Sequence, residues 1–116
     1  MSRAQAVATT PLSFFLGRKW TVTSVSGAGV GMGRSQSLEF VSKDGAVRLK
    51  LSAMVASGTK LDWNTFFDFR DGDLTTTFAA DATVATIHQS GDDRIRCRVR
   101  RRTAEEPGEW EAQEGG

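Results

Sequence analysis

Hydrophobic and polar residues alternate along most of this chain with a period of two. Trp20 and Val22 alternate with Thr21 and Thr23, Leu38 and Phe40 flank Glu39, and Val47, Leu49, Leu51 and Ala53 alternate with Arg48, Lys50 and Ser52. Further on, Phe67 and Phe69 flank Asp68, Leu74, Thr76 and Phe78 share one face, and Ile95, Cys97 and Val99 alternate with Arg94, Arg96, Arg98 and Arg100. Successive side chains of a strand point to opposite faces, so the pattern buries one face of each segment and wets the other, as antiparallel sheets do. Asp44-Gly45 and Asp71-Gly72 stand between such runs. They are strong hairpin signals, because Gly supplies a positive φ and Asp can bond its own backbone. Ser90-Gly91-Asp92-Asp93 punctuates another pair of runs. The reading is an all-β, mainly antiparallel domain: a small meander barrel or strongly bent sheet of seven or eight strands. Helix signals are confined to residues 11–15 and 79–85, enough for one or two short turns at most.

A length of 116 residues fits one domain. The expected layout is a flexible N-terminal segment over 1–11, a single β domain over 12–102 and an acidic flexible tail over 103–116. No stretch approaches the roughly 18 consecutive apolar residues that a spanning helix requires. The 15 basic residues nearly balance the 14 acidic ones, which argues against a dedicated nucleic-acid binder. Chemistry is limited by composition, since the chain has one histidine (His88), one cysteine (Cys97) and no tyrosine. No catalytic residue, metal site or cofactor is assigned. His88 reads as an exposed residue at a strand end, and Cys97 as a small buried hydrophobe. Asp62, Asp68, Asp71 and Asp73 read as solvent-facing turn residues; their catalytic alternative is a barrel cyclase or isomerase using a carboxylate. A lone cysteine excludes an internal disulfide and fits a reducing, cytoplasmic compartment. The acid-poor, arginine-containing start leaves organelle import as the alternative.

Two groups of side chains are candidate binding residues. The first is aromatic. Trp63, Phe67 and Phe69 face inward if the strand period holds, with Phe66 on the other face. Together with Trp20 and Phe78 they either fill the core or line a cavity for a small apolar ligand, the two outcomes open to small barrels. The second is the arginine strand, where Arg94, Arg96, Arg98 and Arg100 form a stripe suited to an anionic ligand. Glu105, Glu106, Glu109, Glu111 and Glu114 follow it and can neutralise it by folding back. The run Gly27 to Gly33 matches neither the dinucleotide fingerprint nor the Walker pattern, and reads as a connection between the first two strands. The partners implied are a small apolar or anionic ligand or another protein, with the chain a monomer or homodimer.

The run Leu16-Gly17-Arg18-Lys19-Trp20-Thr21-Val22-Thr23-Ser24-Val25-Ser26-Gly27 resembles the opening of META/HslJ-type domains. Leu38-Glu39-Phe40, the Asp44-Gly45 hairpin, Ala53 to Gly58, Gly72-Asp73-Leu74 and Ala82 to Ile87 are similar in order to the later part of that family. Gly17-Arg18-Lys19-Trp20 also resembles the Gly-x-Trp signature of calycins, the lipocalin and fatty-acid-binding barrels, with one extra residue between Gly and Trp. Both resemblances imply a compact β-rich domain without catalytic machinery. The META resemblance implies an interaction module associated with stress tolerance or virulence. The calycin resemblance implies a carrier of an apolar or lipid ligand.

Overall fold

A computed structural model describes residues 10–27, 33–51, 55–56, 59–60, 65–78, 82–100 and 107–115. The strands are β1 (Lys19–Ser26), β2 (Ser37–Lys43), β3 (Ala46–Leu51), β4 (Val55–Ala56), β5 (Thr59–Lys60), β6 (Phe66–Arg70), β7 (Asp73–Phe78), β8 (Thr83–Gly91), β9 (Arg94–Arg100) and β10 (Gly108–Glu114). Among the described residues β4 and β5 pair only with each other. The other eight form a closed antiparallel barrel in which each wall strand pairs with the one before it and β10 returns to β1. The expected small meander barrel is therefore the fold, with eight wall strands.

The turns follow from their residues. Asp44 and Gly45 have φ of 51° and 83°, and Asp71 and Gly72 have 51° and 86°. Positive φ at both central positions is the type I′ arrangement that matches the twist of two-residue hairpins. These turns connect β2 to β3 and β6 to β7, with Lys43 opposite Ala46 and Arg70 opposite Asp73. At the other end of β1, Gly27 passes so close to β10 that an added Cβ would lie 2.6 Å from Gly108 Cα and 2.7 Å from the Pro107 carbonyl. Only glycine fits there, which gives the first residue of the Gly27–Gly33 run a packing role. Positions 28–32 lie outside the described residues.

Two sequence expectations change. Gly108–Glu114, expected within a flexible acidic tail, is β10, the strand that closes the barrel. Gly108, Trp110 and Ala112 are buried on its inner face, while Glu109, Glu111 and Gln113 face outward. The second helical turn does not extend through 85, because Thr83 to Ala85 already belong to β8. The first is present as a 3-10 turn at Leu12–Phe14, held by Phe14 N–H to the Pro11 carbonyl and Phe15 N–H to the Leu12 carbonyl, both at 3.0 Å.

That turn plugs one end of the barrel. Phe15 is fully buried and meets Phe40 and Phe69 edge to face, with centroids 6.0 Å and 6.4 Å apart. Trp20 Nε1–H donates to the Phe15 carbonyl at 3.3 Å, which satisfies the indole's polar atom inside the core. Arg18 covers the plug from outside. Its guanidinium lies 4.6 Å from the Phe14 ring centroid and 5.7 Å from that of Trp20, and Nη1 reaches Glu114 Oε1 at 3.3 Å. The start of the barrel is thus fastened to its last strand.

Candidate functional site

The inner surface is considered first. Trp20, Leu49, Phe67, Leu74, Ala85, Ile87, Ile95, Cys97 and Ala112 are 0% exposed, and Trp110 and Val99 only 1%. A side chain lining a cavity large enough for water would present area to it. These residues present none, so they fill the described interior, with Ala85, Cys97 and Ala112 supplying the small residues beside Trp20, Trp110 and Phe67. Of the aromatic candidates, Trp20 and Phe67 are therefore core, while Phe69 and Phe78 are partly buried at its margin. Trp63 lies outside the described residues. Burial also accounts for Cys97: desolvation, with a smaller contribution from the Glu109 charge, pushes its thiol pKa well above the usual range. A thiol held protonated in this way is a poor nucleophile.

The arginine stripe lies on the outer face of β9, where Arg94, Arg96, Arg98 and Arg100 are all exposed between buried Ile95, Cys97 and Val99. β10 supplies their partners in register, with Arg98 opposite Glu109 and Arg96 opposite Glu111. Arg98 Nη2 meets Glu109 Oε2 at 3.2 Å, and Arg96 Nη2 meets Glu111 Oε2 at 3.3 Å. Arg94 Nε lies 4.0 Å from Asp93 Oδ1. Part of the stripe is thus neutralised by glutamates of the segment that follows it, which folds back as a paired strand. His88, expected at a strand end, stands instead within β8 opposite Arg96 and is half-buried. Among the described residues no group of three His, Cys, Asp or Glu converges as a metal site. No helix among them is long and apolar enough to cross a membrane.

The described cavities are open grooves on the outer wall. One, of about 460 Å³, is lined by Lys19, Thr21, Ser35, Ser37 and Gly115. An adjoining one of about 270 Å³ shares Thr21 and Gly115 and adds Thr23, Gln113 and Glu114. Here the Thr21 hydroxyl already donates to the Gly115 carbonyl at 2.7 Å and that of Thr23 to the Glu111 carbonyl at 3.2 Å. A third groove, of about 380 Å³, lies over β6 and β7 and is lined by Asp68, Arg70, Thr75, Thr76 and Thr77.

The wall is incomplete at this third groove. Arg48 and Val47 of β3 stand opposite Phe66 and Phe67, whereas β7 is in register only with Asp68, Phe69 and Arg70. The two ladders of β6, on its opposite edges, therefore cover different halves of the strand. Thr76 and Thr77 continue β7 in register with β8, but the ladder to β6 ends at Thr75 opposite Asp68. N–H and C=O groups alternate sides along an antiparallel strand, so one of these two threonines directs both towards the gap. Thr76 shares the inner face with Leu74 yet is only half-buried, whereas Leu74 is fully buried. The sequence does not disclose this groove, because Asp68 reads as a turn residue or a catalytic carboxylate and Arg70 is not among the candidate site residues. The exposed Phe66 two positions before Asp68 was the available signal. The chain matches no family model, no curated protein and no solved structure.

Proposed function

We propose that this chain is a non-enzymatic binding module that recognises its partner through the outer wall of the barrel. The observation that carries the reading is the packed described interior, where Trp20, Phe67, Leu74, Ile87, Ile95 and Trp110 are at most 1% exposed. Polar grooves outside the barrel offer the room that the described core lacks. The META resemblance associates such a module with stress tolerance or virulence. Native mass spectrometry of freshly purified protein tests the reading. It predicts the bare polypeptide mass or a multiple of it; a co-purified lipid or pigment would contradict it.

The second reading is a calycin-type carrier. The closed eight-stranded meander and the margin formed by half-buried Phe69 and Phe78 favour it. Barrels of this size hold one small ligand when they are not filled by side chains. The same mass measurement separates the two.

A further inference from the structure

The groove over β6 and β7 carries an acid and a base that are committed to no neighbour. Asp68 and Arg70 alternate with inward-facing Phe67 and Phe69, so both project outward beside Thr75 and Thr77. Among the described residues neither makes an ion pair or a side-chain hydrogen bond. Arg18, Arg96 and Arg98, by contrast, are each paired to a glutamate. Phe66 lies on the same face of β6 and is 47% exposed, the one exposed large hydrophobic side chain among the described residues. Residues two apart on a strand stand about 7 Å apart. The face thus presents an aromatic ring, a carboxylate and a guanidinium in line, with hydroxyls on the next strand.

Ligand classes fit this set unequally. A polyanion meets the Asp68 charge, a polycation meets Arg70, and a lipid chain meets a groove whose five lining residues are all polar. A free amino acid satisfies both charges and leaves Phe66 and the threonines idle. A neutral sugar uses every group. Its hydroxyls donate to Asp68, accept from Arg70 and do either with threonine, while the C–H face of a pyranose packs on an exposed ring. A volume of about 380 Å³ is at the small end of the ligand-pocket range of roughly 300–1,000 Å³. We propose that the outer groove of β6 and β7 binds a neutral saccharide. One ring lies on Phe66, and its neighbour hydrogen-bonds to Asp68, Arg70, Thr75 and Thr77.

This inference rests on the reading of an outer-wall binding module. Titration of the full-length protein with cellobiose and with N,N′-diacetylchitobiose, followed by amide NMR, tests it, with glycine as the amino-acid control. The expected result is saturable millimolar shifts confined to residues 66–70 and 73–78. Phe66→Ala and Asp68→Asn should each weaken binding about tenfold while leaving the rest of the spectrum unchanged. No saturable shift with either disaccharide, shifts centred elsewhere, unaltered affinity in both variants, or a response to glycine alone would overturn it. A failed titration of a protein with bare native mass removes the sugar and leaves the outer-wall reading standing. A co-purified ligand inside the barrel removes that reading itself.

Discussion

Two walls of this barrel are built from the same alternating strands and differ in how completely they are joined. From β8 to β10 the ladders run nearly end to end, Val84 opposite Arg100 through Gly91 opposite Arg94, then Gly108 opposite Val99 through Gln113 opposite Arg94. Arg96 and Arg98 of β9 are met there by Glu111 and Glu109 of β10. Around β6 the ladders are short and divided between two neighbours, and among the described residues Asp68 and Arg70 meet no partner. Both walls rest on the same packed core, with Phe67 as fully buried as Ile95. Core packing therefore does not separate them. The difference lies in backbone pairing and surface charge: Arg96 and Arg98 of one wall pair with glutamates across the ladder, whereas Asp68 and Arg70 of the other make no ion pair among the described residues.

The largest test of this contrast removes β10. Deleting residues 108–116 takes Trp110 and Ala112 out of the core and leaves β1 and β9 unpaired along one side, so the protein should lose its dispersed amide NMR spectrum. A truncated chain that kept it would restore the reading of this segment as a tail. Next in size is a pair of substitutions. Ile95→Ala empties a fully buried position on the complete wall and should cost about 2–5 kcal/mol in chemical denaturation. Phe66→Ala on the other wall should cost far less, about 1 kcal/mol or below, because 47% of that residue is already exposed. Equal losses would mean that Phe66 packs into the structure and is not available to a ligand.

A smaller effect concerns Cys97. Its folded-state pKa is raised, mainly by burial, so the native state keeps a proton that the unfolded state gives up near the ordinary thiol value of about 8.5. The neutral thiol's contribution is fully present below that pH and declines above it, by up to about 1.4 kcal/mol per pH unit until the folded thiol itself ionises. Denaturation followed between neutral pH and about pH 10 should show this slope in the native sequence and lack it in Cys97→Ala. A slope that persists in the variant would assign it to another group.

Much of the fold was legible because barrel walls obey the period of two, and because Asp-Gly turns specify hairpin geometry from two residues. β10 was not, since its outward positions are Glu109, Glu111 and Gln113, and an acidic run reads as solvated chain. The signal lay in the inward positions Gly108, Trp110 and Ala112, and in the match between these glutamates and the arginines of β9. The arginine stripe and its neutralisation by the glutamates that follow it were visible, but which pairs form depends on register, which composition does not state. The groove was the least legible feature. It arises because the ladders of β6 to β3 and to β7 cover different halves of the strand, and nothing in Phe66-Phe67-Asp68-Phe69-Arg70 announces that stagger.

Residue-resolved amide hydrogen exchange measures the contrast between the walls most directly. Amides of Arg96 to Arg98 and Glu109 to Ala112 should be among the slowest, opening only with global unfolding. At Thr76 and Thr77 the amide directed away from β8 should exchange about a hundredfold or more faster than these. Protection of both threonine amides equal to that of β9 would contradict the account, because it would mean that the wall over β6 and β7 is closed and has no free edge beside the groove.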